Sequence, residues 1–255
     1  ENTRAGNLIA DEFQRIFGSK PKYQGEAKNI CAGCDPRKAR FLIGAHYDSV
    51  PGSPGADDNA SAVATMLAVA DALQNNRFLP NGLKQARSDI AFVAFNCEEY
   101  GIAGSEEFVR NLGENCLEEV HVLEMVGFCS HEPGSQKNPL PGLIDAPTVG
   151  NFVGVVGNGQ QITDRIVARA GTIDVPVVGL SVPAGISLKQ IKKMSPHLLR
   201  SDHSNFWEVD IPAVMWTDTA EFRNQNYHHE TDTPDTLDYS FMAEIARLLV
   251  NLYTT

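Results

Sequence analysis

Basic residues are scarce beside acidic ones. The 255-residue chain has 21 Lys and Arg against 32 Asp and Glu, a net charge of −11. A surface of that sign repels phosphate backbones and anionic headgroups, which excludes nucleic acid and membrane as principal partners. Cysteine is also sparse. Five are too few for a disulfide scaffold, and an odd count leaves at least one thiol unpaired. Cys31-x-x-Cys34 has no second such pair to complete a zinc ribbon, and it does not open a helix. We read it as a loop disulfide or two free thiols in preference to a metal or redox site. Long apolar runs are missing too. The most apolar stretch, Ala60 to Leu73, is interrupted by Ser61, Thr65 and Asp71 and is too short to span a bilayer. What remains is ordinary globular composition, 42% hydrophobic and 21% charged, in a chain long enough to bury a substantial core.

Short apolar runs alternate with helical spacings. Phe41–Ala45, Ile90–Phe95, Val120–Val126, Phe152–Val156, Val175–Leu180 and Ile211–Trp216 read as buried strands. Arg4–Phe17, Ser61–Leu73, Gly104–Leu112, Gln161–Ala170 and Tyr239–Leu252 read as helices, with a short one at Leu188–Met194. Strands buried on both faces and alternating with helices predict a three-layer α/β sandwich with a largely parallel sheet. No repeat, linker or charge block divides it, so residues 1–255 are expected to form one catalytic domain. Phe128–Gly150 and Ser181–Asp202 are long and irregular, as functional loops are.

Open α/β sheets place their sites beyond the carboxyl ends of the strands. The first strand is followed by His46-Tyr-Asp48, the second by Asn96-Cys-Glu98-Glu99, and the third ends at Glu124. The last strand runs into Thr217-Asp218 and, ten residues on, Tyr227-His228-His229. Asp57-Asp58-Asn59 precedes the Ala-rich helix. Any one of these has a plain structural use, such as a helix cap. Their convergence does not, because acids crowded at one sheet edge repel unless cations intervene. Imidazole with carboxylate, and no clustered thiolate, suits zinc or its first-row neighbours. Adjacent Glu98 and Glu99 allow one to bind metal while the other stays free as a base.

The runs AHYDSVPGSPGADDNAS, FNCEEYGIAGS, LEMVG, SDHSNFW and YHHETDTPDTLD resemble, in order, the motifs of two-zinc aminopeptidases of the bacterial leucyl aminopeptidase type. The resemblance implies the zinc-exopeptidase fold, a mixed sheet of about eight strands between helices. It implies Zn2+, two ions per chain, and release of N-terminal residues from peptides with a free N-terminus. His46 would bind the first zinc, oriented by Asp48, and Asp58 would bridge both ions. Asp58–Asn59 would be a non-proline cis peptide. Glu98 would be the general acid/base and Glu99 a ligand of the second zinc. Glu124, where many members have aspartate, would complete the first site. His228, four residues before Asp232-Thr233, is chosen over His229 for the second. Tyr227 would donate to the oxyanion.

Asp202-His203 resembles a feature near the substrate pocket, read either as pocket wall or as a structural turn. His121 is expected to be a satisfied core or surface residue, and His131 and His197 receive no role. Three rivals stand beside the peptidase reading. They are a single-zinc glutaminyl cyclase on the same fold, a carboxypeptidase for acidic C-termini, and an inactive receptor-like domain. Relatives of this type are mostly exported, and Glu1 with no signal peptide ahead suits a processed chain. The expected compartment is therefore periplasmic or extracellular, with the cytoplasm open.

Overall fold

The computed structural model describes residues 2–75, 88–142 and 144–254. Its centre is an eight-stranded sheet in the order β1-β2-β4-β3-β5-β8-β6-β7. The strands are β1 (Lys22–Gln24), β2 (Asn29–Gly33), β3 (Phe41–His46), β4 (Ile90–Phe95), β5 (Glu119–Glu124), β6 (Val153–Gly157), β7 (Val177–Ser181) and β8 (Ala213–Thr217). β4, β3, β5 and β8 run parallel, while β2 joins β4 and β6 joins β8 antiparallel. Every residue of β3 and β4 is buried, which is why both read as unbroken apolar runs.

Alternate side chains of these strands enter two separate cores. Phe41, Ile43, Phe92 and Ala94 meet α1 (Asn2–Phe17), α2 (Ala62–Asn75) and α7 (Tyr239–Tyr253) on one face. Leu42, Val93 and Phe95 meet α3 (Ala103–Leu112) and α6 (His203–Trp207) on the other. The sandwich therefore has the three layers expected. From β3 the chain crosses through α2 to β4, then returns through α3 to β5 on the opposite side of β3. The order reverses between β3 and β5, and that reversal opens a crevice at their carboxyl ends.

Two departures concern the elements. The antiparallel β1–β2 edge has no counterpart in the sequence reading, because its strands are three and five residues long and too short for a period to show. Cys31 consequently lies on a strand and not in a loop, and all five cysteines are free. The third central strand stops at Glu124, two residues early, because Met125 adopts φ 49° and turns the chain over the sheet edge. His121 is a core residue, as expected: the Trp216 indole donates to its Nδ1 at 2.9 Å, and Glu119 lies against its Nε2.

Candidate metal centre

β3 delivers His46 at its last residue, fully buried. Its Nδ1 lies 3.1 Å from the Asp48 carbonyl and 3.5 Å from the Asp48 carboxylate, so the proton resides on Nδ1. The Nε2 lone pair then faces Asp58 Oδ1 at 3.3 Å and Glu124 Oε2 at 3.4 Å. A second group mirrors the first. His228 Nε2 stands 3.1 Å from Asp58 Oδ2 and 3.4 Å from Glu99 Oε2. Asp58 thus offers one oxygen to each set, His46–Glu124 and His228–Glu99.

Local backbone conformations aim these groups. Beyond β4 the turn 96–99 carries Cys97 at φ 61°, and it is fastened to α3 by the Ile102 N–H donating to the Glu98 carbonyl at 2.7 Å. Gly104 is obligatory there, since a Cβ would lie 1.8 Å from the Asn96 carbonyl oxygen. Asp48 holds the same turn, accepting the amides of Glu98 (3.1 Å) and Glu99 (3.2 Å). The Asp58–Asn59 peptide is cis, as the resemblance implied. The Asn59 side chain donates to the Leu123 carbonyl and accepts the Met125 amide, bracketing Glu124 from both sides. His228, at φ 61°, stacks on Tyr227 with ring centroids 3.8 Å apart. His229 points elsewhere and joins neither group.

The electrostatics show what is needed to balance the cleft. Burial by itself would raise Asp58, but His228 and His46 at its two oxygens hold it below the ordinary carboxylate range. Glu99 is pushed up to about 7 by burial and by Asp58. Glu98 is pushed up to about 10, first by burial and then by Glu124, Asp202 and Glu99. His46 Nε2, Asp58 Oδ1 and Glu99 Oε1 are buried without any hydrogen-bond partner. Unsatisfied buried polar atoms are uncommon, and His46 Nε2 and Asp58 Oδ1, facing each other at 3.3 Å, fit a divalent cation of the zinc type. A cleft of about 260 Å³ opens over them, lined by Asp58, Glu98, Glu99, Glu124, Arg200 and Tyr227.

A model of peptidase family M28 matches residues 29–138 and 177–253, most of the chain. The chain belongs to peptidase family M28. Among curated proteins, this M28 peptidase is 34% identical over 272 residues to the uncharacterized protein YfbL of Escherichia coli (strain K12), covering 96% of the chain and 79% of YfbL. It is 42% identical over 129 residues to aminopeptidase YwaD of Bacillus subtilis (strain 168), covering 48% of the chain but only 27% of YwaD. Its fold is that of Legionella pneumophila LapA aminopeptidase (TM-score 0.70, 20% identity, 99% of this chain and 65% of that one). BSAP, a zinc aminopeptidase from Bacillus subtilis, has it too (TM-score 0.60, 23% identity, 87% and 48%). So does Tannerella forsythia glutaminyl cyclase (TM-score 0.67, 19% identity, 99% and 90%). The family match identifies the chain as a peptidase, a hydrolase of peptide bonds.

Several residues of the site lay in the quoted motifs without a role assigned to them. Ser201 donates to Glu124 Oε2 at 2.7 Å, and Asp57 accepts the Gly127 amide and the Asn224 side chain. Asp202 and His203 are both fully buried, and neither lines the cleft. Asp202 is fully buried and pushed up to about 7 by burial, within the field of His46 and Glu124. His203 instead fixes its loop, with Nε2 donating to the Leu198 carbonyl at 2.9 Å.

Proposed function

We propose that this M28 peptidase is an aminopeptidase that cleaves the first peptide bond of peptides with a free N-terminus, using two zinc ions. The observation that carries this reading is the division of Asp58, one oxygen to each His–Glu set. His46, Glu124 and Asp58 would hold one ion, and His228, Glu99 and Asp58 the other. Bound there, the pair supplies Lewis acidity toward the scissile carbonyl and lowers the pKa of water. Glu98, the one acid lining the cleft that belongs to neither set, takes the proton of the attacking water and returns it to the leaving amine. Asp48 keeps the His46 proton on Nδ1. Tyr227, burial of which raises its pKa, stays protonated and donates to the developing oxyanion. The substrate's free amine meets the remaining carboxylate charge, which favours exopeptidase action.

An adjoining apolar pocket of about 110 Å³ shares Glu124, Arg200 and Tyr227 with the cleft. Its walls include Leu140 and Pro147 from one irregular segment and Leu198 from the other, with Phe152 and Met215. It suits an apolar N-terminal side chain. No helix among the described residues is long and apolar enough to cross a membrane. We read residues 1–255 as one catalytic unit.

The test combines metal analysis with hydrolysis of aminoacyl p-nitroanilides. Two zinc per chain and cleavage of the Leu or Phe derivative are expected. Glu98→Gln should keep both ions and lose about 10²–10⁴-fold in kcat. One zinc per chain with pyroglutamate formation would favour the glutaminyl cyclase reading, which the shared fold keeps as the alternative. Metal-loaded protein inert toward every unblocked substrate would overturn the proposal.

A further inference from the structure

Asp232 belongs to neither ligand set, yet it is fully buried four residues beyond His228. Its carboxylate accepts the backbone N–H of Asp57 at 2.9 Å and of Asp58 at 3.2 Å, and its carbonyl accepts that of Ala56 at 3.2 Å. Asp48 does the same across the site, with its two oxygens on the amides of Glu98 and Glu99. Each carboxylate therefore spans two successive amides of a dipeptide bearing a metal-facing acid. A side chain can be aimed only from a fixed backbone, so a carboxylate on both amides fixes the origin and direction of the acid it supports.

The two supports differ in what else they hold. Asp48 also contacts His46, so it touches both sets, His46 of the first and the Glu99 backbone of the second. Asp232 sits in the turn that carries His228: the Asp232 amide donates to the His229 carbonyl, and the His229 amide to that of Asn226. Moving this turn would displace His228 and the Asp58 backbone together. The Glu124 backbone is held from both sides by the Asn59 side chain, with no contact to Asp232 itself.

We propose that Asp232 is a positioning residue that fixes the separation of Asp58 and His228 and thereby sets affinity for the second metal ion, held by Asp58, Glu99 and His228. This rests on the two-metal reading above. The test titrates metal-free wild type, Asp232→Asn and Asp232→Glu with zinc by calorimetry, and with cobalt(II) by its visible absorption. Asn keeps one acceptor and turns an NH2 group toward the other amide. Glu keeps both acceptors but shifts them by one methylene.

Wild type should show two sites. Each variant should keep one site within about 3-fold and lose about 10–100-fold at the other, with the second cobalt ion's spectrum altered and the first unchanged. Two sites at wild-type affinity in both variants, or equal weakening of both sites as a purely structural residue would cause, would overturn the proposal. Should the Asn variant fold poorly, the Glu variant decides. Fewer than two ions in wild type would instead refute the two-metal reading, and this proposal with it.

Discussion

Two histidines adjacent in sequence, His228 and His229, differ in their use because one backbone angle separates them. At φ 61° the His228 ring stacks on Tyr227 with Nε2 beside Asp58 and Glu99, while the equally exposed His229 joins neither ligand set. His228→Ala should therefore leave one metal per chain and His229→Ala two, read by elemental analysis after dialysis; the reverse pattern would exchange their roles. His203 illustrates a different residue-scale effect. Burial lowers its pKa from 6.5 to about 4, against the opposing pull of the Leu198 carbonyl. The unfolded chain binds this proton near 6.5 and the folded chain only near 4, so its stabilising contribution is complete above 6.5 and lost as pH falls toward 4. The loss amounts to about 3 kcal/mol. Urea midpoints of wild type and His203→Asn should diverge across that window, and parallel curves would remove the effect. The acids and histidines of both ligand sets were legible in the sequence, because they directly follow apolar strand ends or carry a motif. Asn59, Ser201 and Asp232 lay inside the same motifs, but their tasks were not legible, since a side chain that grips backbone or another side chain across the fold leaves no spacing in its own segment.

Among the elements, the junction of β4 with α3 is the least tolerant. A methyl group on Gly104 would sit 1.8 Å from the Asn96 carbonyl and 2.8 Å from Asn29 Oδ1, forcing α3 away from the turn that carries Glu98 and Glu99. Gly104→Ala should cost about 1–3 kcal/mol in denaturant unfolding and lower kcat in the metal-loaded enzyme. Gly171→Ala, whose Cβ would meet nothing within 4 Å, should change neither, and equal behaviour of the two would contradict this account. The long central strands and amphipathic helices were readable because their periods repeat over enough residues. β1 and β2 were not: they owe their existence to pairing with β4 and with each other.

For the whole molecule, the cleft brings together Asp58, Glu98, Glu99 and Glu124, and burial penalises the charge on Asp58, Glu98 and Glu99. Cations that bind only the folded chain must stabilise it, by about 2.7 kcal/mol when free metal is 100-fold above Kd. Chelation should lower Tm by roughly 5–10 °C for a domain of this size, and zinc but not magnesium should restore it. A Tm indifferent to chelator would mean that the acids are balanced in some other way.

The residue types and their pattern implied the fold class and a gathering of acids and histidines suited to a metal. Apolar runs long enough to be buried on both faces imply layered helices over a parallel sheet, and histidines mixed with carboxylates at strand ends select a zinc-type cation. Distance along the chain carries no information about separation in space across a crossover. Only the folded chain put Asp58 with one oxygen beside each histidine, at 3.3 Å from His46 and 3.1 Å from His228, and showed that buried acids such as Asp232 grip the backbones behind them.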